Sequence, residues 1–221
     1  MSEKTKKNIS ISLVFLVVGL DLLFGPGLLY FMKSIGVELC SNSQASIYPI
    51  KCLLQWGILS IYPAILALIL WKRRKQDFIK DMYLQIRGKK QKIFVIILST
   101  ILLIMTVVMV IKTDDFLFVA LNLLFFLVPI ALAEEFVIRG VCPFLLRDCS
   151  KLTTYILPNI LFAGLHIFAY NNFQTMNIDY VVYFLSSQMI RLFLMGLFFQ
   201  LLKDFSGTLW APILLHAIID L

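Results

Sequence analysis

Phe116-Leu-Phe-Val-Ala-Leu-Asn-Leu-Leu-Phe-Phe-Leu-Val-Pro-Ile-Ala-Leu-Ala133-Glu134-Glu135-Phe-Val-Ile-Arg139-Gly140 decides how this chain folds, because an uncharged run leads straight into three ionisable residues. A helix that crosses the hydrocarbon core of a bilayer needs about 20 apolar residues, so the run predicts a membrane span. Ionisable groups inside such a span are costly unless they are paired or used. Glu134, Glu135 and Arg139 therefore mark a candidate functional site.

The composition agrees with a membrane setting. The 221 residues are 60% hydrophobic and 15% charged, and 19 of them are Phe. The mean hydropathy is +0.90, which leaves too few polar faces for a water-soluble domain. Apolar stretches recur at Ile9–Met32, Cys52–Trp71, Ile93–Ile111, Phe116–Leu146, Leu152–Ala169, Tyr180–Leu202 and Thr208–Leu221. The predicted fold is all-α: a polytopic transmembrane helical bundle of about seven spans, forming a single membrane domain over residues 1–221.

The net charge of +7 is placed for a membrane rather than for nucleic acid. Nine Lys and Arg crowd between Lys72 and Lys92, and Lys4, Lys6 and Lys7 precede the first span. Loops on alternate sides carry 15 against 3 cations, with Arg139 and Arg191 left inside spans. The positive-inside rule then puts the N-terminus in the cytoplasm of a multi-pass cell-membrane protein, and seven spans bring the C-terminus outside. A basic loop beside the bilayer also attracts anionic lipid. The first apolar stretch is too long for a signal peptide and lacks a small-residue cleavage site, so it is expected to be retained.

Cys40 and Cys52 flank the first outer loop and are free to pair, whereas Cys142 and Cys149 fit small apolar packing, and no CxxC metal pattern exists. Gly25-Pro26-Gly27 is expected to interrupt the first span, and Pro143, Pro158 and Gly164 mark further bends. Such breaks survive in a membrane only where protein or trapped water satisfies the backbone, which suits a wet interior.

Spacing carries the chemistry. Residues four apart share a helix face, so Glu135 and Arg139 can pair, while Glu134 is rotated about 100° away and stays free to act as a general base. A plain ion-pair staple between helices would use the same residues. The two histidines of the chain, His166 and His216, both fall inside apolar spans, and Asp220 follows His216 by one helical turn. Glu134, His166 and His216 also lie at comparable depth from one side of the membrane, within reach of one cavity.

Taken in order, Glu134-Glu135-x-x-x-Arg139, Phe162-x-x-x-His166 and His216-x-x-x-Asp220 resemble the signature of the CAAX-processing and bacteriocin-processing (CPBP, or Abi) membrane endopeptidases, in particular bacterial members. Arg191-Leu-Phe-Leu-Met-Gly196 and Gly207-Thr-Leu-Trp210 share that likeness. The resemblance covers residues 116–221 and implies a catalytic core there. It implies that Glu134 and His166 activate water for attack on a peptide carbonyl, that Arg139 holds Glu135 in a supporting role, and that His216 and Asp220 polarise the carbonyl and stabilise the oxyanion. Phe162 belongs to the motif as a supporting residue. Asp220 stands where prenyl-protein processing relatives have Asn, and a charged Asp donates poorly to an oxyanion unless it is protonated or serves to orient His216. The resemblance also implies an eighth span in the full family core, expected here to be either absent or cut off after Leu221.

Two His and one Glu can furnish a zinc site with an open position, here Glu134, His166 and His216. No His-Glu-x-x-His helix is present, and the resemblance favours a metal-free, glutamate-dependent mechanism with no cofactor. The expected substrate is a peptide or protein tail presented at the bilayer, as in bacteriocin maturation, self-immunity or peptide signalling. Two other classes fit the same intramembrane residues: a noncatalytic immunity or regulatory scaffold that binds a peptide or sensor, and a small transporter or proton relay. Among the remaining polar groups, Asp21 is expected to bond freed backbone near Gly19 and Gly25. Arg191 is expected to pair with Asp220 or a Glu of the cluster. Asn122, Asn159 and Gln188 are expected to bond between helices, and Trp71 and Tyr180 to sit at the interface.

Overall fold

The computed structural model describes residues 2–39, 41–167 and 177–221, and among them every regular element is helical. Seven helices follow one another: α1 Glu3–Ser34, α2 Pro49–Asp81, α3 Lys89–Thr113, α4 Phe116–Leu145, α5 Lys151–Leu165, α6 Ile178–Ser206 and α7 Trp210–Asp220. Five of them, α1 to α4 and α6, are long and apolar enough to cross a membrane. α5 has 15 residues and α7 only 11, so two of the seven expected spans are shorter than the usual crossing. Cys40, and with it the pairing considered for Cys52, lies outside the described residues, as does the end of the fifth apolar stretch at Ala169.

Local sequence sets the helix boundaries. Ser2, Asp115, Ser150 and Asn177 each accept a hydrogen bond from the backbone N–H three residues on, satisfying donors that a helix start leaves open. Gly207 ends α6 in the left-handed region at φ +76°, where a side chain would be strained.

Gly25-Pro26-Gly27 does not interrupt the first span, contrary to expectation. The helix widens to a π turn over Leu23–Gly27 and continues to Ser34. Proline lacks the N–H that would close an α turn, and a wider turn absorbs the defect without exposing a broken end to lipid. The same device recurs in α4, with π segments at Phe126–Leu132, around Pro129, and at Phe136–Val141. They flank the single α turn Ala133–Glu135.

Packing is inside-out relative to a soluble protein. On α3, Ile96, Leu103 and Ile111 are 63%, 63% and 76% exposed, as lipid-facing residues should be. The interior is built around α4. Val14, Val17 and Val18 of α1 join Val137, Val141 and Cys142 of α4, with Phe162 of α5 and Leu209, Ile213 and Ala217 at the end of the chain completing the cluster. α7 lies between α3 and the π segment of α4, and α6 packs along α5.

A loop contact fixes the start of α7. Leu209 N and Thr208 Oγ1 donate to the Tyr83 carbonyl at 2.7 and 3.2 Å, and Trp210 Nε1 donates to the Leu84 carbonyl at 3.0 Å. Gln91 Nε2 of α3 adds a bond to the Gly207 carbonyl at 2.7 Å. The Gly207-Thr-Leu-Trp210 stretch thus docks α7 on the segment that joins α2 to α3.

Several polar residues depart from expectation. Asn122 donates to Phe118 O at 2.9 Å within its own helix rather than between helices. Gln188 bonds Tyr183 Oη and Arg191, also within α6, and exposed Arg191 takes Gln188 Oε1 at 2.6 Å instead of a carboxylate of the charged cluster. In both cases a partner one turn away on the same helix is closer than any across the bundle. The α1 backbone is served by Tyr62, which donates to Val17 O at 2.9 Å, and not by Asp21. Asn159 does bond across helices, to Arg139 at 3.2 Å.

Candidate active site

Two helices, α4 and α7, bring the charged cluster together. Glu134 and Glu135 leave α4 on the short turn between its two π segments, and His216 of α7 meets both of them. His216 Nδ1 lies 2.9 Å from Glu135 Oε1, while its Nε2 faces Asp220 Oδ2 at 3.3 Å and Glu134 Oε2 at 3.9 Å. Both ring nitrogens therefore address carboxylates, which suits a doubly protonated donor ring.

Arg139 makes the pair read from the spacing: Nη1 donates to Glu135 Oε1 at 2.9 Å, with both side chains fully buried. Glu135 Oε1 thus accepts from Arg139 and His216 at once. The guanidinium also donates through Nη2 to Asn159 and stacks 4.3 Å above the Phe162 ring. A buried ion pair tolerates desolvation only when such extra bonds surround it.

The roof over Arg139 comes from α6. A Cβ at Gly196 would lie 2.5 Å from Asn159 Oδ1 and 3.0 Å from Arg139 Nη2, so only glycine lets α6 approach this closely. One and two turns further on, Phe199 places its ring 5.2 Å from that of His216, and Lys203 Nζ donates to the Arg139 carbonyl at 3.0 Å. Lys203 is 2% exposed. Its role was hidden in the sequence because a lysine near a span end reads as an interfacial charge. The seven-residue spacing from Gly196 does place both on one face.

Phe162 sits between the two histidines, with ring centroids 4.5 Å from His166 and 6.5 Å from His216. His166 stands just after the last residue of α5, its Nδ1 2.8 Å from the Phe162 carbonyl oxygen. The two imidazoles thus flank one aromatic ring, and His216 contacts the carboxylates. The zinc set Glu134, His166 and His216 is not gathered as such: among the described residues no group of three or more His, Cys, Asp or Glu is placed to hold a metal ion.

Among the described residues, three buried side-chain polar atoms lack a hydrogen-bond partner: Glu134 Oε2, Glu135 Oε2 and Arg139 Nε. Unsatisfied buried polar atoms are rare in folded proteins, and here two acceptors and one donor concentrate at one place. The Glu134 side chain retains 28% exposure, against none for Glu135. Of the two adjacent carboxylates, one is locked in the interior and one is reachable.

The family model of the type II CAAX prenyl endopeptidases, Rce1-like, matches residues 115–221. This region is an Rce1-like CAAX-protease domain. It begins at the cap of α4 and takes in every residue of the cluster described above, as the ordered motifs led us to expect. Membership in the CAAX-protease family supports an intramembrane protease activity. No curated protein and no solved structure matches the chain.

Proposed function

We propose that this CAAX-protease-family protein is an intramembrane endopeptidase that uses Glu134 as its general base, without a metal ion. The observation that carries the reading is the pairing of two unlike carboxylates: Glu135 is fully buried and faces both Arg139 and His216 through one oxygen, whereas Glu134 is partly exposed and has no such pair of cations. A base must be reachable and must not already be neutralised.

In this reading Glu134, with His166 at the edge of the site, takes a proton from water as its oxygen attacks the peptide carbonyl carbon. The Nε2–H of His216, oriented by Glu135 behind it and Asp220 beside it, stabilises the oxygen of the tetrahedral intermediate. The C–N bond then breaks, and the proton held by Glu134 passes to the departing amine. In this reading Asp220 orients His216, a role open to an ionised acid, and its 3.3 Å approach to Nε2 supports that role. An apolar cavity of about 250 Å³, lined by Pro63, Ala64, Phe78, Val128, Ala133 and Phe136, adjoins the turn that carries Glu134. It suits an apolar portion of a peptide or protein tail. We place the basic loop and the N-terminus in the cytoplasm of a cell that carries the protein in its membrane.

Cleavage of a quenched fluorescent peptide library by the detergent-purified chain tests this. Glu134→Gln is expected to lower the rate by about 100-fold or more while the protein elutes and melts like the wild type. Wild-type activity is expected to persist with a strong chelator, and its loss would assign the chemistry to zinc. Function in cells that survives Glu134→Gln would favour a noncatalytic scaffold.

A further inference from the structure

We propose that a second cavity, at the end of the bundle that carries the basic loop, binds a phosphate group, supplied by the headgroup of an anionic lipid. This cavity of about 430 Å³ does not include Glu134, though it shares Lys203 with the network around Arg139, and is lined by residues of α2, α4, α5 and α6 and of the α2–α3 and α4–α5 segments, among them Lys80, Arg147, Tyr155, Lys203 and Asp204.

Its charges do not cancel. Asp81 is taken by Arg74 Nε at 2.7 Å. Asp204 is taken by the Tyr155 hydroxyl on one oxygen and lies 3.5 Å from Lys203 Nζ on the other. Lys80 and Arg147 remain, and among the described residues no carboxylate lies within ion-pair distance of either. The Arg147 guanidinium is held 4.7 Å over the Phe144 ring, which fixes its plane at the cavity wall. The buried Lys203 adds a third cation deeper in. Two unpaired cations over a buried third make a site for an anion with several oxygens.

A lipid is favoured over a free ion by what surrounds the cavity. Ile79, next in sequence to Lys80, and Leu152, two residues before Thr154, are 45% and 72% exposed, as lipid-facing side chains are. The segment from Lys72 to Lys92 holds nine cations and concentrates anionic lipid at that level of the bilayer.

Native mass spectrometry of the full chain in detergent, titrated with phosphatidylglycerol, phosphatidylcholine or inorganic phosphate, tests the site. Wild type should retain phosphatidylglycerol over phosphatidylcholine, and Lys80→Gln/Arg147→Gln should lower that retention by about fivefold for each cation removed. Lys89→Gln/Lys92→Gln, which removes the same charge outside the cavity, should lower it by clearly less. Equal loss in the two double variants, or no preference in the wild type, would overturn the proposal. Inorganic phosphate that binds and displaces the lipid at millimolar levels would overturn the lipid assignment and leave the anion site. All four side chains are exposed, so loss of fold is not a competing explanation.

Discussion

A single oxygen organises the candidate active site. Glu135 Oε1 accepts from both Arg139 Nη1 and His216 Nδ1 at 2.9 Å, so one carboxylate ties α4 to itself and to α7. Glu135→Gln keeps the shape but removes the charge that balances two buried cations. It should destabilise the protein by about 3 kcal/mol, read as a lowered unfolding midpoint in detergent. Gly196→Ala tests the same network from above: the new methyl would fall within 2.5 Å of Asn159 Oδ1. The expected cost is about 1 to 3 kcal/mol together with reduced peptidase activity, because Asn159 must move away from Arg139. The i,i+4 pair and the His216–Asp220 pair were legible from spacing alone. That they share a partner was not, because Glu135 and His216 are 81 positions apart and no local periodicity connects them. The Lys203 bond to the Arg139 carbonyl, across 64 positions, escaped for the same reason.

At the level of elements, the apolar runs located the helices, and the family motifs located the site along them. What they could not convey was helix shape. Gly25-Pro26-Gly27 reads as a break, yet the chain answers with a π turn, and at Pro129 it forms a π segment that runs directly into the turn carrying Glu134 and Glu135. Prolines and glycines report that an α turn is impossible at a position without saying which alternative the neighbours will support. The polar residues of α6 misled for a related reason: Gln188 and Arg191 pattern like buried groups but satisfy each other at the surface. The anchoring of α7 offers a test. Trp210→Phe removes the bond to the Leu84 carbonyl while keeping an aromatic ring. It should cost about 1 kcal/mol and raise hydrogen exchange at the start of α7, while Trp71→Phe on the 57%-exposed surface should do neither.

The whole molecule divides into a lipid-facing exterior and a charged centre, and the distribution of its loop cations sets how it should sit in the bilayer. With the basic segment between Lys72 and Lys92 in the cytoplasm, a Cys introduced at Lys89 in a background with the native cysteines replaced should react with an impermeant thiol reagent only in inside-out vesicles. Labelling in right-side-out vesicles would invert the assignment.

The pairing of Glu135 with Arg139 inside one helix also bears on biosynthesis. A nascent segment leaving the translocon is judged mostly on its own hydrophobicity, and each isolated charge at its centre disfavours release into lipid by about 3 kcal/mol. α4 is synthesised long before His216 emerges, yet it already contains the countercharge for one of its two acids. The helix can therefore partition as a segment with one residual acid rather than three separate ions. The residue that supports Glu135 in the folded site would thus have an earlier duty, as the chaperone of its own span.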